Sequence, residues 1–230
     1  MIVKEKIQMD ENIKDGIKKE LETRYYSFEI REKKAENEGE KIIDGRPIVY
    51  ESKTDLGWFD EIIEKGALDE ADLTDVRFLV NHDTRMIPLA RSRRNNGNST
   101  MQLSVDDEGM LIDWVKLDVK NNPTAAALYS AVERRDIDGM SFMFSIEDEE
   151  WKDLESDHPT RIIKKIGSVV EVSAVTFPAY DATSINARSK EALENARSAV
   201  ETARQQKVEA VDTDKELELA KAKYDFKSRF

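Results

Sequence analysis

The sequence predicts an α+β fold that is mainly β: short, largely antiparallel strands forming a small barrel or sandwich with a few helices. Three observations carry this expectation. All five prolines and eight of the nine glycines fall between Gly39 and Pro178, so turns are frequent there. The segments between those turns alternate apolar and polar residues with a period of two. Only Pro123–Arg135 inside that region changes to helical spacing.

Residues 11–22 read as a short charged helix. Tyr25–Lys33 and Glu40–Tyr50 then read as a hairpin turning at Asn37-Glu38-Gly39. Further strand-like pieces are Val76–Asn81, Thr100–Val105, Met110–Leu117, Gly139–Ile146 and Val169–Thr176, with Gly109 marking a second hairpin turn. Pro123 suits the first turn of a helix whose apolar positions are Ala126, Ala127, Tyr129 and Val132. Residues 188–230 contain neither Gly nor Pro and are rich in strong helix formers. Their spaced apolar residues (Ala192, Leu193, Ala196, Ala199, Val200, Ala203) are mostly small. The stretch therefore reads as a solvated helical or disordered tail, with an assembly-contacting helix as the alternative. The expected organisation is a charged extension at 1–24, a folded body at 25–187 and a charged tail at 188–230.

Charge follows the same division. Of 36 basic and 48 acidic residues, the middle segment 41–187 holds 17 and 28, a net −11 of the total −12. An acidic body argues against nucleic acid as the main partner. The absence of cysteine excludes disulfides, thiolate zinc sites and Cys nucleophiles. Two histidines do not furnish a multi-histidine metal site, so neither a metal nor an organic cofactor is expected. No apolar run approaches the ~18 residues of a membrane span, and residues 1–6 do not read as a signal peptide.

Three residues can do chemistry. His82 stands where the strand-like Val76–Val80 gives way to a loop, held yet reachable, which suits a general base. A lone histidine is more often structural. Ser141 lies in Gly139–Ile146, where Met140, Phe142, Phe144 and Ile146 share the core face and Ser141, Met143 and Ser145 the other. A serine hydroxyl becomes a nucleophile only beside a base; otherwise it is a serine on a half-exposed strand. Glu171 lies in an otherwise apolar strand, so it either faces solvent or is paired, because an unpaired buried charge is costly. A histidine N–H would be a natural partner, as in a catalytic triad. Asp83, Asp136, Asp138 and Glu147 compete for that third role, and spacing does not choose among them.

The region bearing these residues resembles the prohead (capsid maturation) proteases of tailed phages. The resemblance runs in order through residues 43–50, 58–68 (WFDEIIEKGAL), 75–83 (DVRFLVNHD), 138–144 (DGMSFMF) and 171–180 (EVSAVTFPAY). It implies a serine endopeptidase related to herpesvirus assemblin, a small β-barrel flanked by helices. It further implies His82 as general base and Ser141 as nucleophile, with Glu171 as third member. Acyl transfer by such a serine calls for oxyanion donors, expected to be backbone N–H groups or an arginine. The implied substrates are the scaffolding segment of the major capsid protein and the chain itself. The implied setting is the immature capsid in the host cytoplasm, the gene being carried by a phage or prophage. A homo-oligomer is compatible with the resemblance.

Met143 and Ala174 depart from the glycine and proline frequent at those places. The stretch Arg91–Asn98 departs from a shorter family turn and reads as a solvated loop, or one that orders on substrate binding. A catalytically silent assembly protein of the capsid is the alternative reading. A serine hydrolase of small esters would lack its Gly-x-Ser-x-Gly elbow.

Overall fold

A computed structural model describes residues 21–26, 30–33, 41–176, 194, 196–209, 213 and 215. The described strands form two sheets. In chain order they are β1 (Leu21–Tyr26), β2 (Ile30–Lys33), β3 (Lys41–Val49), β4 (Thr54–Asp55), β5 (Asp60–Ile63), β6 (Arg77–Val80), β7 (Ala90–Arg91), β8 (Met101–Asp106) and β9 (Gly109–Leu117). After helix α1 (Pro123–Glu133) come two long strands, β10 (Gly139–Lys152) and β11 (Thr160–Val175). A second helical stretch, residues 196–209, follows.

The mainly-β α+β expectation is met, but the described strands make an open pair of sheets rather than a closed barrel. One sheet runs β2-β3-β9-β8, all antiparallel. The other runs β1-β10-β11-β5-β4 and is mixed. Its organiser is β11, sixteen residues long. On one edge it pairs with β10 along the whole length. On the other edge it takes β5 near its start and β6 near its end, both parallel, with a bridge to Asp72 between them. The expectation of largely antiparallel pairing missed this because a parallel partner is delivered by a crossover, not by a turn motif.

The apolar faces of both sheets and α1 share one core. Ile43, Met101, Met110 and Ile112 come from the smaller sheet; Phe78, Phe142, Phe144, Val172 and Ala174 from the larger; Leu128 and Val132 from the helix. α1 begins at Pro123, as its sequence predicts, and the structure adds a cap. Asn122 caps it by accepting from the N–H groups of Thr124 and Ala125, and Pro123 occupies the first turn. At the β8–β9 turn, Arg46 forks onto the Asp106 carboxylate and lowers its pKa to about 2.

Gly109 is required where β9 starts. Its φ is +136°, and a Cβ there would lie 2.1 Å from the Ile48 carbonyl oxygen. Gly109→Ala is therefore expected to cost about 3 kcal/mol. That corresponds to a drop in Tm of roughly 6–12 °C for a chain of this size. An unchanged thermal transition would refute the close approach.

The larger sheet contains a buried charge cluster. Arg161 forks onto Glu22 of β1 with two contacts of 2.8 Å, and its Nε donates to Glu149 of β10. The fully buried Glu61 of β5 lies 3.5 Å away, and the guanidinium lies over the Trp151 ring, 5.6 Å from its centroid. Four strands are thus tied at one residue.

Several expectations are corrected. Leu21 and Glu22, expected at the end of a helix, belong to strand β1, where Glu22 answers Arg161; the rest of that expected helix lies outside the described residues. Tyr25–Lys33 is not one strand: β1 joins β10 in one sheet and β2 joins β3 in the other. The turn at Asn37-Glu38-Gly39 also lies outside the described residues. The Arg91–Asn98 stretch is held by its side chains, although its tip is exposed. Asn95 pairs with both backbone groups of Leu103, and the buried Ser92 hydroxyl accepts from Val76 N–H. Residues 196–209 are not a free tail: Val200 and Ala203 are buried, and Arg204 donates to the carbonyls of Leu154 and Ser156 at the β10–β11 turn. Residues 188–193 lie outside the described part.

Candidate active site

Three neighbouring strands bring His82, Ser141 and Glu171 together. β10 and β11 pair so that Ser141 lies opposite Ser173 and Met143 opposite Glu171. Across the other edge of β11, β6 aligns Leu79 with Ser173 and Val80 with Ala174. Alternation then sorts the faces. Met140, Phe142, Val172 and Ala174 enter the core, and Ser141, Glu171 and Ser173 point the opposite way. A register shift between Met143 and Phe144, opposite Val169 and Glu171, allows Val169 and Val172 both to join the core. Such irregularities re-aim side chains beside functional sites.

β6 ends just short of the site, and the chain turns sharply there. Asn81 and His82 both have left-handed backbone, with φ of 50° and 56°. Asn and His tolerate this region better than most residues. The turn is fastened to β11 by Asn81. Its N–H donates to the Ala174 carbonyl, its Oδ1 accepts from Thr176 N–H, and its Nδ2 donates to Thr176 Oγ1. His82 is thereby placed with its ring above β11 and its backbone N–H on the Ser173 hydroxyl, 3.1 Å away.

The imidazole bridges the other two residues. His82 Nε2 lies 2.5 Å from Ser141 Oγ, and His82 Nδ1 is hydrogen-bonded to Glu171 Oε1. The second oxygen of that carboxylate, Oε2, accepts from Ser173 Oγ at 2.7 Å. Ser141 and Ser173 are fully buried, and Glu171 is 2% exposed. Ser141 is therefore not on a half-exposed strand face. Chemically this is a hydroxyl, an imidazole and a carboxylate in series: one end can lose a proton to the middle, and the other end steadies the charge that results.

Three of the four competing carboxylates are engaged elsewhere. Asp83 receives the Arg85 guanidinium, which lowers its pKa. Asp136 receives Arg134, and Glu147 is paired with Lys165. Asp138 is exposed. His158 lies outside the site, 3.1 Å from Asp60, with Asp55 close by. Those two aspartates and His158 could approach a common cation, but the Lys53 ammonium already pairs with Asp60.

Sequence reasoning did not single out Asn81, Ser173 or Thr176. An Asn directly after a strand, before a candidate base, is a readable sign of left-handed backbone. Ser173 carried no such sign, because its role depends on two partners distant in sequence.

A family model described as caudovirus prohead serine protease matches residues 27–198. The chain belongs to that family. The prohead protease match begins between β1 and β2, runs through the whole hydrogen-bonded site, and ends in the helical stretch that docks on the β10–β11 turn. The chain is thus a member of a serine peptidase family of tailed bacteriophages associated with capsid maturation. No curated protein and no solved structure matches it. Among the described residues, no helix is long and apolar enough to cross a membrane. The closing Phe177–Tyr180 of the resemblance lies outside the described residues.

Proposed function

We propose that this chain is a capsid maturation endopeptidase in which Ser141 is the nucleophile, His82 the general base and Glu171 the carboxylate that orients it. The observation carrying the proposal is the His82 ring, which contacts Ser141 Oγ with one nitrogen and Glu171 with the other inside the family-matched region. His82 Nε2 takes the Ser141 proton as Oγ attacks the peptide carbonyl carbon. The tetrahedral intermediate collapses as the imidazolium returns that proton to the leaving amine, giving an acyl-enzyme. Water, deprotonated by the same nitrogen, then attacks the ester and releases Ser141. Glu171 stays ionised and stabilises the imidazolium in both half-reactions.

The substrates on this reading are the scaffolding segment of the major capsid protein and the chain itself, inside the immature shell. Strand β1 places Leu21–Arg24 within the body rather than in the extension expected at 1–24; on this reading the charged segments ahead of β1 and after residue 187 are the extensions that self-cleavage removes. A silent assembly protein would have no need for a serine, a histidine and a carboxylate in one buried hydrogen-bonded line. The test is co-production of the chain with its capsid protein, followed by intact-mass measurement. The expected result is a shortened capsid subunit and a trimmed protease. Full-length capsid subunits beside folded protease would overturn the proposal.

A further inference from the structure

We infer that Ser173 is a fourth, positioning member of this site, which fixes the carboxylate and the histidine backbone through one hydroxyl. The inference rests on the triad reading above and extends it. Ser173 is the direct strand partner of Ser141 and is fully buried. Its single oxygen meets two groups of different polarity: His82 N–H at 3.1 Å and Glu171 Oε2 at 2.7 Å.

A hydroxyl has one proton to give and lone pairs to accept with. A backbone N–H can only donate, so the Ser173 oxygen accepts from His82. The Ser173 proton is thereby left for Glu171, whose Oε2 accepts it. With Oε2 engaged, Oε1 remains for the His82 ring. The hydrogen bonds form a loop that leaves His82 at its main chain and returns to it at Nδ1, passing through Ser173 and Glu171. Ring and carboxylate are thus positioned against the same residue, and movement of either breaks a bond to it.

The position demands this chemistry. Alanine would strip an acceptor from a main-chain N–H and a donor from a carboxylate oxygen, both in a buried site where lost partners are costly. Valine would add an apolar wall beside a charge. Threonine keeps the hydroxyl, and its β-branch suits a strand. Loss of an outer partner of a metal-bound histidine costs about 10–100-fold, and a similar range is expected for Ser173→Ala, whose hydroxyl holds a catalytic histidine in the same indirect way.

The experiment uses the full chain labelled with ¹⁵N-histidine. With two histidines in the sequence, a His158→Gln variant assigns the signals of His82. In wild type, a low-field proton bound to His82 Nδ1 is expected, reporting the bond to Glu171. Ser173→Ala is expected to broaden or shift that proton and to slow capsid-protein cleavage about 10–100-fold, with Ser173→Thr restoring both. A folded Ser173→Ala with an unchanged low-field proton overturns the inference. Should the alanine variant not fold, Ser173→Cys, similar in shape and a weaker donor, takes its place under the same criterion. Cleavage that survives Ser141→Ala while the proton responds to Ser173 would sink the triad reading and leave the positioning role standing.

Discussion

Ser141→Ala is expected to leave every capsid subunit at full length when the variant is co-produced with the capsid protein. Loss of the nucleophile from a serine–histidine pair costs roughly 10⁴–10⁶-fold in turnover, beyond what intact-mass measurement detects over an assembly reaction. The variant should also retain both of its own extensions. The change is small in volume, and Met140 and Phe142 on either side hold β10 in the core, so the fold should persist. Ser145→Ala is the matched control. Ser145 lies on the same face of β10 but bonds to Ser168 Oγ at 3.0 Å, away from His82. Its loss should change cleavage by less than about 3-fold, as for an ordinary hydroxyl whose net worth is ~1 kcal/mol or less. Equal cutting by wild type and Ser141→Ala would remove Ser141 from the mechanism.

Glu171→Gln is expected to cost roughly 10³–10⁴-fold while preserving shape, the scale seen when a triad carboxylate becomes an amide. The Ser173 hydroxyl donates to one side of residue 171. The amide of glutamine would therefore place its carbonyl oxygen there and turn its NH₂ towards His82 Nδ1. That nitrogen must then accept, which moves the ring proton to Nε2 and removes the lone pair that Ser141 needs. Positive charge on the ring would also lose its stabilising partner. Asp83→Asn and Glu147→Gln provide the comparison, since those carboxylates face Arg85 and Lys165 instead. Both should stay within about 3-fold of wild type, because exposed ion pairs contribute little. If all three variants lose activity equally, the third place in the triad is not Glu171.

The parts of this molecule that were legible in its sequence are those set by local chemistry. Alternation in residues 139–146 put Met140, Phe142 and Phe144 in the core, and all three are there. Pro123 opens α1, and Gly109 turns the β8–β9 hairpin. The candidate residues His82, Ser141 and Glu171 were each visible as oddities: a histidine at a strand end, a serine before apolar alternation, a carboxylate among valines. Their meeting was not visible from period or spacing, because it requires β6 to lie parallel to β11, a pairing delivered by a crossover. The role of β5, parallel to the start of β11, was hidden for the same reason. The docking of the helical tail was missed for a different reason. Alanines at 196, 199 and 203 seemed too small to hold a helix down, but the docking of this stretch also uses polar anchors, Arg204 on two carbonyls and Lys207 on Glu155.

The alternation of β10 and β11 has a thermodynamic meaning beyond placement. Val172 and Ala174 are in the core for the same reason that Glu171 and Ser173 are out of it, and Met140 and Phe142 stand in that relation to Ser141. A one-residue slip of either strand would exchange the two sets, pushing a carboxylate or hydroxyl into hydrocarbon at a cost of several kcal/mol. Misaligned versions of the site are therefore also unstable versions of the protein. Hydrophobic burial acts here as a proofreader: a chain that has folded has, by that fact, already set its serine, histidine and glutamate to the same reading frame.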